Sequence, residues 1–410
     1  MKGERKVKKR DILFLCQFFH PEYISSAQLP YETVQALNEA GFTVDVLCGY
    51  PREYLEGTDI PVREVKNGVS IRRLKYIQLD RKGFLGRLIN YFSFTLMVLL
   101  QLGQFRKYRS IVVYSNPPIL PWIASWGKAL FGTKLIFVSY DLYPEVATVT
   151  GTLGEGNPIC RLMNHINKCV YRRADRVVAL SEEMKDYILN HRPIEAERVS
   201  VIPNWYSGQE EPLEKGEDNR FWEMTKGRFT VSYFGNMGTM QDMDTILGAI
   251  RKLREEENIF FLFAGHGNKL EELKHIAAGE KLQNIAVLDF LHGDAFRDAL
   301  AISDCALVTL EKGATGLCVP SKTYSYMMQG IPIVAIMDEC DIVRDLEAGA
   351  GCHVGNGESE KLTELLKAMA REPEKLREMG RKCRKCYVEK YTAAVGTGKY
   401  VTLFRSLLAK

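Results

Sequence analysis

No stretch of the 410-residue sequence is both long and apolar enough to read as a membrane span. The most apolar segment, residues 84–103, is interrupted by Arg87, Asn90, Ser93 and Gln101. No apolar h-region follows the basic start, where Lys2, Arg5, Lys6, Lys8, Lys9 and Arg10 face Glu4 alone, so a secretory signal is excluded and the cytoplasm is the expected location. The first strand-like run lacks the Gly-x-Gly-x-x-Gly turn of a dinucleotide-binding fold: Cys16-Gln17-Phe18-Phe19-His20-Pro21-Glu22 holds no glycine, which disfavours a plain dehydrogenase. No nucleic-acid-binding motif is present, and the net charge of +4 is small for this length. Among ten cysteines only Cys383 and Cys386 have C-x-x-C spacing, without a second ligand pair, so no metal centre is expected. Cys16, Cys48 and Cys305 lie inside apolar runs, where a reduced thiol behaves as a small hydrophobe. A reducing compartment fits this better than a disulfide framework.

What is present is the composition of an ordinary folded protein, 46% hydrophobic and 26% charged, in a chain long enough for two domains. An apolar run at 11–19, a helical pattern at 29–40 closed by Gly41, and an alternating run at 42–47 open the chain as a β-α-β unit. Further runs at 110–114, 134–139 and 176–180 extend a parallel sheet to about residue 204. A polar stretch with Gly208, Pro212 and Gly216 then breaks the pattern. Strand-like runs resume at 229–234, 259–264, 285–290, 305–310 and 331–336. The predicted fold class is α/β: two Rossmann-like, doubly wound domains facing each other across a cleft, with ligands outside the carboxyl ends of the strands. The boundaries are 1–206 for the first domain, 207–228 for a linker, 229–390 for the second domain, and 391–410 for a helix packing back on the first.

Between residues 72 and 109 there are nine basic residues and one acid, Asp80, with the bases flanking the apolar segment 84–103. That arrangement suits an interfacial helix on anionic lipid. It equally suits a buried helix with solvated basic ends.

A diphosphate ligand needs backbone N–H groups at loops and helix starts, aided by cationic or amide side chains. Gly235-Asn236-Met237-Gly238-Thr239-Met240-Gln241-Asp242 follows one strand and leads into a helix near Asp242. A second turn is Ala264-Gly265-His266-Gly267-Asn268, and Gly293 marks a third after Phe290-Leu291-His292. Pro320-Ser321-Lys322-Thr323 has the form of a helix start. A lysine there opposes the helix dipole and calls for an anionic partner.

These motifs, with Tyr326-Met327-Met328-Gln329-Gly330-Ile331-Pro332-Ile333-Val334-Ala335, resemble the family-four GT-B glycosyltransferases. In the first half His20-Pro21-Glu22, Asp141-Leu142-Tyr143-Pro144-Glu145, Ala174-Asp175-Arg176-Val177 and Ile202-Pro203-Asn204 resemble the same family. The similarity covers nearly the whole chain and is nearest the capsule and colanic-acid transferases, a fucosyl- or fucosamine-transferase-like branch.

The resemblance implies retaining transfer of a hexosyl or N-acetylhexosaminyl group from a UDP- or GDP-linked sugar, with no metal ion and no cofactor. The acceptor it implies is a polyprenyl-diphosphate-linked saccharide at the inner face of the cell membrane, in surface polysaccharide assembly. Donor binding falls on Gly235, Asn236, Gly238, Gln241, Gly265, His266, Gly267, Leu291, Ser321, Lys322, Thr323 and Ser325. His20, Glu22, Ser25 and Ser26 form the acceptor and phosphate loop. Asp141 or Glu145 is the group that orients or deprotonates the acceptor hydroxyl; a helix cap or a loop salt bridge is the structural alternative for both. The sequence departs from the family where its Arg and Lys fall at Asn236 and Gln241, where its second glutamate falls at Ser325, and where its first falls at Leu317 or is displaced by the loop. A nucleotide-sugar 2-epimerase and a catalytically silent sugar-nucleotide-binding subunit remain open as alternatives.

Overall fold

Runs rich in Val, Ile, Leu and Phe, apolar at successive positions rather than alternating, make strands that are covered on both faces, as parallel sheets require. The structure, a computed structural model, describes residues 9–52, 60–79, 83–154, 156–207 and 211–409. The basic start up to Lys8, together with Asp80, Arg81 and Lys82, lies outside them. The chain divides into two compact units, residues 1–207 with 393–410, and residues 208–392.

The first unit holds eight strands: β1 (Arg10–Cys16), β2 (Val44–Gly49), β3 (Arg63–Lys66), β4 (Val69–Leu74), β5 (Tyr108–Tyr114), β6 (Lys134–Val138), β7 (Arg176–Ala179) and β8 (Val199–Val201). Their order is β3-β4-β2-β1-β5-β6-β7-β8, parallel throughout except for the β3–β4 pair. Phe14, Val46, Val112 and Ile136 are fully buried or nearly so, each contributing about 1.5–3 kcal/mol by leaving water. The helix Ala393–Leu408 belongs to this unit and packs on the helix Ser25–Glu39. Gly396 is pressed against the Trp205 ring, where a Cβ would come within 2.2 Å. Arg109 and Lys134 donate to the carbonyls of Leu408 and Leu407, closing the helix where its dipole is negative.

The second unit holds six parallel strands: β9 (Phe229–Asn236), β10 (Ile259–His266), β11 (Ile285–Asp289), β12 (Cys305–Thr309), β13 (Ile333–Ile336) and β14 (Gly351–Val354), in the order β11-β10-β9-β12-β13-β14. The order reverses between β9 and β12, so the loops leaving these two strands part to opposite sides and open a crevice at their carboxyl ends. Of residues 207–228, read in the sequence as a linker, the described stretch 211–228 is held to this unit: Asn219 and Arg220 donate to Asp298, and a short helix forms at Trp222–Thr225.

The segment read as one helix over 84–103 is a helix at Phe84–Leu99 followed by a 3-10 turn at Leu102–Lys107. Its polar residues turn toward the protein: Asn90 brackets the backbone N–H and C=O of Leu79, and Ser93 donates to Ile77 O. Phe94 and Val98 are buried, whereas Leu85, Ile89, Phe92, Leu96 and Leu100 form an outward stripe at helical spacing, with Leu85 71% and Phe92 56% exposed. No helix among the described residues is long and apolar enough to cross a membrane.

All ten cysteines are free, and burial pushes the thiols of Cys16, Cys48 and Cys305 up. Among the described residues no three His, Cys, Asp or Glu side chains are grouped to hold a metal ion.

Candidate functional site

Most of the expected donor residues meet at the carboxyl ends of β9, β10 and β12. Register pairs Gly265 with Gly235 and His266 with Asn236. A Cβ on Gly265 would lie 1.8 Å from Gly235 O, so the two turns approach closer than any side chain allows. Gly267, at φ +123°, also lies close to Met237 O, where a Cβ would come within 2.4 Å, and Met237 N donates to His266 O at 2.7 Å. Asn236 Nδ2 and Gly238 N both donate to Gln241 Oε1, at 3.2 and 2.9 Å, so this loop is tied by its own carboxamides. It then enters the helix Met243–Lys252 through Asp242, whose carboxylate accepts from Thr245 N and Oγ1 and from Asn356. Burial pushes that carboxyl up, but these hydrogen bonds outweigh it and hold it below the usual range.

Lys322 enters from the other side of the crevice as the first residue of the helix Lys322–Gln329. Its Nζ lies 3.5 Å from the centroid of the Tyr233 ring and donates to Asn236 O at 3.3 Å. No carboxylate pairs with it among the described residues, and burial drives its ammonium well below the usual lysine range. His266 is likewise lowered, first by burial and then by Lys322, and its ring meets Phe290 edge-on at 5.3 Å. Thr323 and Ser325 turn inward: Thr323 Oγ1 donates to Pro320 O and Ser325 Oγ to Lys322 O. Leu317 is buried. Ser321 is exposed beside the helix start, and Leu291 follows β11, two strands away from β9.

In the first unit, Ser115 Oγ accepts from the backbone N of Tyr140 and of Asp141, tying the loop after β6 to the end of β5. The Asp141 carboxyl has no hydrogen bond or ion pair among the described residues, and burial raises it to about 6. Glu145 is placed differently. Arg192 Nη2 donates to both of its oxygens at 2.7 and 2.6 Å, and the guanidinium is only 7% exposed. The loop salt bridge is therefore what the structure shows for Glu145.

His20 stacks on Tyr31 with ring centroids 4.4 Å apart, and its Nε2 lies 2.7 Å from Lys66 Nζ. Burial first, and then Lys66, lower its pKa, so it accepts from the ammonium as a neutral ring. Glu22 is buried and accepts from Phe19 N at 3.2 Å. Ser25 and Ser26 open the helix Ser25–Glu39. His20 and Glu22 thus shape their loop from within, and the serines stand at its outlet.

Residues 28–205 match the family described as glycosyl transferase 4-like domain, and residues 214–386 match glycosyl transferases group 1. The chain belongs to the family-four GT-B glycosyltransferases. It is 28% identical to a probable glycosyltransferase, WbjE, of Pseudomonas aeruginosa over 311 residues, covering 74% of this chain and 77% of that one. It is 24% identical to the putative colanic acid biosynthesis glycosyl transferase WcaI of Escherichia coli over 202 residues, 48% of this chain and 49% of that one. The crystal structure of Anabaena HepE in complex with UDP-glucose superposes with a TM-score of 0.69 at 15% identity, covering 97% of this chain and all of that one. The assignment selects a transferase over the epimerase and silent-subunit alternatives.

For this glycosyltransferase the sequence left three partners out. Tyr233, read only as part of a strand, is the platform for Lys322. Arg192, 47 residues from Glu145, and Lys269, whose Nζ lies 3.0 Å from Gln241 O, are long-range neighbours. No periodicity marks such pairs. The one available signal was the absence of a family cation at Asn236 and Gln241, which called for a replacement elsewhere.

Proposed function

We propose that this glycosyltransferase takes a nucleotide diphosphate sugar, UDP- or GDP-linked, at the β9–β12 crevice. It transfers the sugar with retention to a polyprenyl-diphosphate-linked saccharide in surface polysaccharide assembly. One observation carries the donor half: Lys322, an ammonium without a carboxylate partner among the described residues, stands over an aromatic face among glycine turns whose backbone admits close approach. A desolvated cation in that setting is poised for a doubly negative diphosphate. The UDP-glucose held by HepE and the colanic acid role in the name of WcaI support the reading.

When the bond from the sugar to the diphosphate breaks, the leaving oxygen gains charge, and Lys322 together with the start of its helix stabilises it. In this reading the lysine, rather than a metal ion, balances the diphosphate. Asp141, whose carboxyl is unpaired, orients the acceptor hydroxyl and takes its proton, while Glu145 fixes the loop through Arg192.

A lipid-linked acceptor places the enzyme at the inner face of the membrane. The outward stripe Leu85, Ile89, Phe92, Leu96 and Leu100 supports this, with Arg87, Arg106 and Lys107 exposed around it and no acid between residues 81 and 140.

Thermal-shift titration of the purified chain with UDP, GDP and their sugars tests the donor site, and radiolabelled donors offered with polyprenyl-diphosphate saccharides test transfer. Stabilisation by one nucleotide class and a labelled lipid product are expected. No response to any nucleotide would overturn the reading.

A further inference from the structure

The Asn236–Gln241 loop is neutral, yet a lysine stands at each of its ends. Lys322 Nζ donates to Asn236 O at one end, and Lys269 Nζ donates to Gln241 O, 3.0 Å away, at the other. We infer that Lys269 is the second cation of the donor diphosphate site, supplying from a neighbouring helix the charge that Asn236 and Gln241 do not carry. This rests on the donor reading above and adds to it a residue that neither the motifs nor the family pattern points to.

Three features hold Lys269 in that place. It is the second residue of the helix Asn268–Gly279, and its backbone N donates to Met237 O at 2.9 Å, so the helix start is bound to the loop it serves. Gly267, just before it, packs so close to Met237 O that a Cβ would lie 2.4 Å away, which fixes the distance between helix and loop. The Asn236 and Gln241 side chains close on each other and on Gly238 N, leaving the loop's charge requirement to its flanks. Among the described residues Lys269 has no carboxylate in ion-pair contact. The acid that feels it is Glu311, whose carboxyl is raised by burial first and by Asp242 next, with Lys269 pulling the other way. Two monocations flanking one loop match the two phosphoryl groups of a nucleotide sugar's diphosphate, whereas a nucleoside monophosphate has no second phosphoryl group to meet the second cation.

The test is calorimetric titration of the full chain with UDP, UMP and uridine, comparing wild type, Lys269→Gln, Lys269→Arg and Lys322→Gln. GDP, GMP and guanosine replace them if the guanine series is the one that binds. Lys269→Gln is expected to weaken UDP about tenfold and UMP much less, which narrows the UDP/UMP preference, and Lys269→Arg is expected to restore most of it. The melting temperature without nucleotide should stay at the wild-type value. Unchanged UDP affinity in Lys269→Gln would overturn the inference. So would an equal loss for UDP, UMP and uridine, because that is the mark of a residue that only positions the loop. If wild type binds UDP and only the Lys269 effect is missing, the donor reading stands without its second cation. If wild type binds neither nucleotide series, the donor reading itself fails and the inference falls with it.

Discussion

Lys322 and Tyr233 form a cation–π pair, with Nζ 3.5 Å from the ring centroid and, among the described residues, no carboxylate paired with it. The ring face stabilises an ammonium that burial would otherwise neutralise, without occupying the side that an anion approaches. Replacing Lys322 by Gln is expected to weaken nucleotide diphosphate binding by about 10- to 100-fold, the worth of a hydrogen bond to a charged group. Tyr233→Leu should weaken it less. Calorimetry with UDP on both variants measures the order, and a larger loss in Tyr233→Leu would reverse the roles assigned to the pair.

The two acids of the loop after β6 separate by environment. Glu145→Ala leaves the buried Arg192 guanidinium without its partner, at a cost of roughly 3 kcal/mol. A unit of this size should then melt about 6–12 °C lower. Asp141→Asn removes an unpaired carboxyl, so its melting temperature should hold or rise while kcat falls by about 10²- to 10⁴-fold. Calorimetric melting and initial rates on both variants check this, and the opposite pattern would exchange their roles.

A raised carboxyl carries a defined pH signature. Asp141 must lose its proton to act as a base, so kcat/KM should climb as pH passes through about 6, and Asp141→Asn should flatten that limb. Stability runs the other way. The folded state favours the protonated acid, so the contribution is complete below the unfolded carboxyl range and is lost as pH rises through about 6. A rate profile and a set of melting curves over the same buffers read both limbs.

Gly265→Ala should be far more damaging than an added methyl suggests, because its Cβ would lie 1.8 Å from Gly235 O and the two strand ends would have to part. The expected result is loss of thermal stabilisation by UDP even where the variant still folds. Retained stabilisation would mean that the close approach of the two turns is not needed for the donor.

Phe92→Ser combined with Leu96→Ser removes the middle of the outward stripe while leaving Asn90, Phe94 and Val98 in place. Flotation with phosphatidylglycerol-containing vesicles should show at least about a tenfold drop in bound protein, and added salt should lower wild-type binding. Equal flotation of both proteins would remove the stripe from the membrane contact.

Much of the fold was readable because parallel strands buried on both faces stand out as unbroken apolar runs, as at β5, β9 and β10. The β3–β4 hairpin was not, since Arg63–Lys66 is charged and largely exposed and looks like loop. Glycine turns at strand ends are local and gave up the β9 and β10 loops directly. Lys269 meets Gln241, and Arg192 meets Glu145, by tertiary packing across 28 and 47 residues within their separate units, and local sequence carries no mark of that. The stripe on Phe84–Leu99 was ambiguous for another reason: the helix is apolar nearly all round, and only the bonds of Asn90 and Ser93 reveal which side faces the protein.

The helix Ala393–Leu408 covers the first sheet with Tyr400, Leu403, Phe404 and Leu407, yet it is translated after all of the second unit. During synthesis the first unit must therefore wait, with an apolar face uncovered, until the ribosome has delivered roughly the last twentieth of the chain. A fragment ending near Ser207 would keep Trp205 but lack the surface that buries it. Expression of the first unit alone should require the terminal helix to be supplied in trans or grafted on by circular permutation.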